Sequence, residues 1–336
     1  TMNNASMKRL CSFSLIITLL FSQTVFAWSS VGHRLTAAVA LSFVEENTAE
    51  RLISLLEEHP RFEQDFLNAM PASIANSDSK SKQQWLLGQA AYWPDIARGL
   101  PDTERAKYNR GSWHYEQGEW IRGAAQLQGN HYIGIEPFPS IEGAAGDSIR
   151  SEEAVGNLVT AIDYNTWVVA NTSLSLEQRA VALCWVLHLM GDIHQPLHTG
   201  SLYSADTFKR GDLGGNRIPT GELNLHARWD QALEKAGIAG NLPLAIEQVS
   251  GFNQPKIKGV ESDWTQWMSE SRQHLQTSVY TAAMLEAAEK ADANGDDEMP
   301  STELPDGYNE EMKRISLQRI GLAGLRLAIW FENTLP

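Results

Sequence analysis

The stretch Val181-Ala182-Leu183-Cys184-Trp185-Val186-Leu187-His188-Leu189-Met190-Gly191-Asp192-Ile193-His194-Gln195-Pro196-Leu197-His198 decides how the rest of the chain is read. Its first half is an apolar run of the kind that makes a core helix. His188 and Asp192 stand four apart, so on a helix they project from one face a turn apart. Pro196 has no N–H to donate and its ring collides with the preceding turn, so it ends or kinks the helix and brings His198 round beside the pair. Three potential metal ligands thus converge within eleven residues. A buried charge needs a partner, and a bound cation is one. The competing reading is a core histidine bonded to a neighbouring aspartate.

Outward from this stretch, apolar residues recur at helical spacing over residues 31–56, 153–169, 175–192, 225–236, 264–290 and 308–332. Ser175 offers an N-cap, Asn309 with Glu311 a plausible start to the last helix, and His59-Pro60 a stop. No sustained alternation marks a strand; residues 113–120 and 131–135 could make a small hairpin. Loops are expected at 100–112, 136–151 and 199–222. No repeat or linker divides the chain, so the expectation is a mainly α fold in one domain with long loops.

A second His–Asp pair at the same spacing, His226 and Asp230, lies in Asn224-Leu225-His226-Ala227-Arg228-Trp229-Asp230. Two such pairs on separate helices point to a polynuclear site between helices. Asp95 in Trp93-Pro94-Asp95, His114 in Trp113-His114-Tyr115, and His33 are weaker signals alone. An aspartate after proline is commonly a helix cap, and an aromatic-flanked histidine commonly core. Together they form a His/Asp inventory without cysteine, which suits hydrolytic more than structural zinc.

With 336 residues and 43% hydrophobic content the chain can bury a large core. Residues 1–27 read as a secretory signal: Lys8-Arg9, an apolar run over 10–21, and Val25-Phe26-Ala27 as cleavage site. The run is short for a membrane span, so the expectation is a secreted or periplasmic protein beginning at Trp28, without stable membrane association after cleavage. Uncleaved, the segment would be an anchor. Cleavage takes the formal charge from −14 to −16. A basic nucleic-acid surface is therefore excluded, and a polyanionic substrate would need local cations such as metal ions. Cys11 falls in the signal and Cys184 in the apolar helix, so no disulfide is expected and Cys184 reads as packing.

The set Trp28…Gly32-His33, Trp93-Pro94-Asp95-Ile96-Ala97-Arg98, Trp113-His114-Tyr115, the opening stretch, Gly214-Gly215-Asn216, Asn224 to Asp230, and Gly321-Leu322-Ala323-Gly324 in the final helix resembles the S1/P1 nuclease family. The resemblance implies a helical fold related to bacterial phospholipase C, three zinc ions in a cleft, and single-stranded DNA, RNA and 3′-nucleotides as substrates. It gives one zinc to Asp95, His114, His188 and Asp192. A second takes Asp192 as a bridge, His33, and the α-amino and carbonyl groups of Trp28, which only cleavage after Ala27 would free. The third takes His198, His226 and Asp230. Arg98, a helical turn from Asp95, would hold a phosphate oxygen. Tyr115 and Asn216 would take the nucleobase, with Gln117 standing where the family usually has an aspartate. The implied products carry 5′-phosphates, and the implied molecule is a monomer.

A phospholipase C-like enzyme is the nearest alternative, against which stand Asp230 in place of a glutamate and the pair Tyr115 and Asn216. A non-catalytic exported zinc-binding protein is the other. His131 rivals His114 as a ligand. His194 is expected behind the ligands or at the surface, His59 and His274 at the surface, and Lys209-Arg210 in a solvated turn. Asp292 to Glu303 has the ligand spacing of an EF-hand calcium loop, but Asp297 stands where that turn needs glycine, so a solvated acidic turn is the better reading. Asn171-Thr172-Ser173 fits a glycosylation acceptor.

Overall fold

The computed structural model describes residues 28–116, 118, 130–135, 149–251 and 263–335; residues 1–27 and Gln117 lie outside these. The fold is mainly α. Its axis is the opening stretch: Ser175 and Gln178 form a reciprocal capping box that starts a helix at Leu176–Asp192, and nearly every residue from Ala180 onward is buried. In chain order the helices are α1 Ser30–Leu41, α2 Glu46–Glu57, α3 Ala72–Ala75, α4 Ser79–Ala97, α5 Asp102–Tyr108, α6 Leu158–Ala170, α7 Leu176–Asp192, α8 Leu225–Asp230, α9 Gly237–Val249, α10 Asp263–His274, α11 Ala282–Asn294 and α12 Tyr308–Thr334.

Several expected elements are broken or displaced. The run at 31–56 is two helices, because Ser42 ends α1 by returning its hydroxyl to the Ala38 carbonyl at 2.9 Å and the Glu45 N–H goes to Glu332 at 2.7 Å. The run at 264–290 is interrupted by a π turn at Leu275–Val279, after which Thr281 caps α11. Residues 225–236 are helical only to Asp230, with a 3-10 turn at Glu234–Ala236. Of the expected hairpin, residues 117, 119 and 120 lie outside the described residues; its other arm is instead in a parallel pair, with β1 (His131–Ile133) beside β2 (Leu202–Ser204) and Tyr132 opposite Tyr203. Parallel strands need a long crossover, which 134–201 supplies and a hairpin reading cannot foresee. Residues 113–114 end a 3-10 turn instead.

The acidic segment at 292–303 does not begin as an EF-hand loop does. Asp292 is still inside α11, its carboxylate accepting the Asp206 and Thr207 N–H groups at 2.7 and 2.8 Å, and Gly295 closes the helix at φ 73°. Lys209 pairs with Asp206 at 3.0 Å on an exposed turn, as expected.

Three apolar clusters meet around the turn after α7: Ile193 belongs to the cluster of α2, α4, α6 and α7, Leu197 to that of α8 and α11, and Trp28 to that of α1, α9 and α12. Close helix approach is built in by glycine. A Cβ at Gly324 of α12 would lie 2.5 Å from that of Val39 in α1.

Candidate metal centre

Each ligand candidate is delivered by a different local device. His33 comes from α1. Asp95 lies inside α4 rather than capping it, one residue after Pro94, itself buried within the helix. His114 ends the 3-10 turn Gly111–His114, His188 and Asp192 occupy the last turn of α7, and His198 closes a 3-10 turn begun by Pro196. His226 and Asp230 lie on α8, capped by Asn224. All eight residues are at most 4% exposed.

The hydrogen bonds fix which nitrogen each histidine offers. The Nδ1–H groups of His188, His198 and His226 donate to the carbonyls of Ala91 (2.8 Å), His114 (2.6 Å) and Gly214 (2.7 Å). A carbonyl can only accept, so each Nε2 is left with its lone pair turned inward. His188 Nε2 lies 2.8 Å from His114 Nδ1 and 3.2 Å from Asp192 Oδ2, which is 3.3 Å from the same His114 nitrogen. Ligand atoms held tetrahedrally about a zinc ion lie about 3.3 Å apart, because each is about 2.0–2.1 Å from the metal. His226 Nε2 is 3.2 Å from Asp230 Oδ2, and His198 Nε2 is 4.0 Å from Asp230 Oδ1.

Asp192 faces both ways. Its second oxygen, Oδ1, is 3.5 Å from His33 Nε2 and 3.7 Å from His198 Nδ1. His33 stacks on His188 with ring centroids 3.8 Å apart, and its Nε2 is also 4.0 Å from Asp95 Oδ2. Gly191 makes that stack feasible, since a Cβ there would sit 3.0 Å from His33 Nδ1. Trp28 is fully buried, its indole donating to the Gly191 carbonyl at 3.0 Å, while the next residue's N–H reaches the Asp230 carbonyl at 3.2 Å. The chain start expected from cleavage after Ala27 therefore lies between the two His–Asp pairs.

The electrostatics fit cation binding. Burial pushes the Asp192 and Asp230 carboxyls well above their ordinary range, and Asp95 up to about 6 against the opposing pull of His188 and Arg98. Burial also holds His33, His114 and His198 far below the usual imidazole value and takes His188 down to about 4. Both nitrogens of His33, both oxygens of Asp192 and His198 Nε2 are buried without a hydrogen-bond partner. Orphaned lone pairs at this depth are costly unless something positive sits among them. Among the described residues, three groups of ligand atoms cluster within 4.8 Å: His33/Asp95/His188, His114/His188/Asp192 and His198/His226/Asp230. The donor set is neutral imidazole and carboxylate, which suits zinc.

A family model described as S1/P1 Nuclease matches residues 28–336. The chain belongs to the S1/P1 nuclease family. Among its relatives, Nuclease S1 of Aspergillus oryzae is 25% identical over 334 residues, covering 94% of each chain. Endonuclease 3 of Arabidopsis thaliana is 26% identical, covering 95% of this chain and 93% of its own. Nuclease P1 of Penicillium citrinum is 26% identical over 75% of this chain and 92% of its own. A chain matching the family over its whole described length is a hydrolase acting on nucleic acid.

Around the metal-ligand atoms, Arg98 Nη2 lies 3.1 Å from Asp95 Oδ1 and its side chain is 21% exposed, so it reaches from the buried ligands to solvent. Tyr115, next to His114, is 40% exposed. Asn216 is partly buried, its amide donating to the Leu213 carbonyl at 2.8 Å and its oxygen accepting from Asn224 at 3.4 Å. Leu213 escaped the sequence reading. It is 48% exposed and holds a left-handed φ of 58° beside the glycines that bond His226. An aliphatic residue in a Gly-rich loop was its only signal.

The remaining histidines correct or complete the expectations. His131 bonds the Leu275 carbonyl at 3.1 Å and joins none of the three ligand groups. His194 is fully buried behind α7, its Nδ1–H on the Met190 carbonyl and its Nε2 accepting from Arg326. His59 is buried rather than exposed, edge-on to Trp93 at 4.3 Å, because the turn that ends α2 folds under α4. His274 is half-buried, and burial lowers it to about 4. Cys184 is buried in the core, as expected.

Proposed function

We propose that the centre holds three zinc ions and hydrolyses phosphodiester bonds in single-stranded DNA and RNA, leaving 5′-phosphates and also removing 3′-phosphates from nucleotides. The observation that carries this reading is the convergence of buried, partnerless lone pairs on Asp192 from two sides. His114, His188, Asp95 and Asp192 would hold one ion; His33, Asp192 and the amino and carbonyl groups of Trp28 a second; His198, His226 and Asp230 a third. Bound zinc supplies Lewis-acid charge and lowers the pKa of water to about 7, so that a nucleophile exists at neutral pH.

The chain's own residues do the rest. The carbonyls of Ala91, His114 and Gly214 keep three imidazoles in the ligating tautomer before anything binds, so no reorganisation is required at the moment of reaction. Arg98 presents its donor fork to a non-bridging phosphate oxygen and neutralises part of the charge that repels the attacking water. Water adds to phosphorus, the P–O3′ bond breaks, and the 3′-oxygen leaves as a hydroxyl. Tyr115 follows His114, Leu213 precedes the Gly214 that bonds His226, and both are exposed; a splayed base stacked there is available only in a single strand. Asn216 offers hydrogen bonds to its edge; Gln117 is assigned the same role from sequence.

The same reading takes residues 1–27 as a signal, the remainder as one exported, monomeric domain, and cleavage as the event that frees the Trp28 amine. Among the described residues no helix is long and apolar enough to cross a membrane. Chelation of the processed protein should abolish cleavage of a single-stranded oligonucleotide, and added zinc should restore it. Zinc-loaded, correctly processed protein that leaves single strands intact refutes the proposal.

A further inference from the structure

Between Asp192 and His198 runs a turn, residues 193–197, that holds no ligand yet is wholly buried. Its outer face is bonded by α10 and α12. Ser271 donates to the Ile193 carbonyl at 2.6 Å, Arg319 to the His194 carbonyl at 3.3 Å, and Arg326 to His194 Nε2 at 2.8 Å. Both arginines are gathered by Glu270 at 2.8–3.0 Å, and Arg272 donates to the Thr199 carbonyl. A turn tied at both ends and in the middle has one position.

Its inner face carries Gln195. The Leu197 N–H donates to Gln195 Oε1 at 2.6 Å, so the other end of that amide must be its NH2, which donates to Asp230 Oδ1 at 2.8 Å. Asp230 Oδ2 is then the oxygen turned to His226 Nε2, at 3.2 Å. An oxygen that already accepts from a fixed donor is the weaker ligand of the two, so the donor favours ligation through the other. Without that donor it rotates, and its two oxygens become equivalent.

We propose that Gln195, held by the Glu270/Arg319/Arg326 clamp, is the positioning residue that presents Asp230 to the His198/His226 group through Oδ2. The inference rests on the reading that this group holds a zinc ion. Gln195 touches neither substrate nor reacting atoms; it acts through Asp230, and it couples the turn joining Asp192 to His198 with helix α8. Loss of such an outer partner typically weakens metal binding by about 10–100-fold.

The test is a chelator titration of zinc-loaded protein, with bound zinc counted per chain, comparing wild type, Gln195→Met, the clamp variant Glu270→Gln/Arg326→Met, and His226→Ala as reference. In the paired clamp substitution Arg326 goes together with its charged partner, while Arg319 keeps its bonds to the His194 and Trp267 carbonyls and Ser271, and Glu270→Gln leaves an acceptor oxygen for it. In both Gln195→Met and the clamp variant, one ion should leave at about 10–100-fold lower chelator while the others leave as in wild type. If both titrate as wild type does, the positioning role is refuted. Parallel weakening of every ion, together with a lower melting temperature of the metal-free protein, also refutes it, since that is loss of fold. If His226→Ala binds as many ions as wild type, the zinc reading of this group fails and the inference falls with it; a lost ion in His226→Ala with an unchanged Gln195→Met overturns the inference alone.

Discussion

Asp192→Asn separates the cost of building the centre from the gain of filling it. Asparagine keeps the shape of the side chain but is neutral and offers one acceptor oxygen where aspartate turns Oδ2 to His114 and His188 and Oδ1 to His33. If Asp192 serves two ions, bound zinc should fall from three to one. An ion present at a hundred times its dissociation constant stabilises the fold by about 2.7 kcal/mol, so two lost sites remove about 5 kcal/mol. For a domain of this size that lowers the melting temperature in excess zinc by about 10 °C. With chelator present the sign reverses. The metal-free wild type must bury a carboxyl that burial holds well above its ordinary pKa, with both oxygens unpartnered, and the amide relieves that penalty. Metal-free Asp192→Asn should therefore melt no lower than metal-free wild type. The assays are zinc content after dialysis and thermal melts with zinc and with EDTA. Three ions retained, or equal destabilisation in both buffers, refutes the bridging role.

Arg98→Met should keep all bound zinc but lower kcat on a single-stranded oligonucleotide by about 10²–10³, the usual effect of removing one donor to developing charge; an unchanged kcat would leave Arg98 only its ion pair with Asp95. Tyr115→Ala should lower kcat/KM by about 5- to 150-fold, as loss of about 1–3 kcal/mol of stacking requires, and equal rates for the variant and wild type would remove Tyr115 from base binding. His59, buried and lowered to about 3, sets an acid limit. Its unfolded value is higher, so the unfolded state takes up the proton first, and stability is lost as pH falls from about 6.5 towards 3. At pH 5 the loss is about 2 kcal/mol, and denaturant unfolding of His59→Phe should show that much less dependence on pH between 7 and 5; an identical dependence would assign the acid limit elsewhere.

The two His–Asp pairs and Pro196 were legible because each is a local rule: spacing of four on a helix, and a ring that cannot continue one. Asp95 shows where local rules mislead. Pro94 reads as a boundary, yet α4 runs through it, held by Trp93, whose indole bonds Asp65 at 2.9 Å, and by burial on the core side. The parallel strands were illegible because Tyr132 and Tyr203 are partners across seventy residues, and three-residue strands carry no alternation. His59 was misread for a similar reason: a histidine before a proline looks like a surface stop until Phe66 and Trp93 close over it. The tautomer-fixing carbonyls could not be seen at all, since every residue has one. Their meaning lies in Ala91 standing opposite His188 and Gly214 opposite His226.

These placements also explain why the ligands sit on so rigid a frame. Five buried histidines, with carboxylates pressed up in pKa among them, form a region that disfavours its own folding when empty. A flexible frame would relax by letting the side chains seek one another or water. Here it cannot. Gly191 lets His33 lie against α7 with no room to turn, Gly324 locks α1 against α12, and the arginines of α12 hold the turn that follows Asp192. The apolar mass of α7, buried from Ala180 onward, offsets the cost. The same helix whose apolar burial stabilises the fold therefore carries residues that disfavour it when empty, and the difference is recovered when cations enter. That arrangement keeps the lone pairs aimed before binding, which is the condition for tight metal binding and for a site that does not reorganise during reaction.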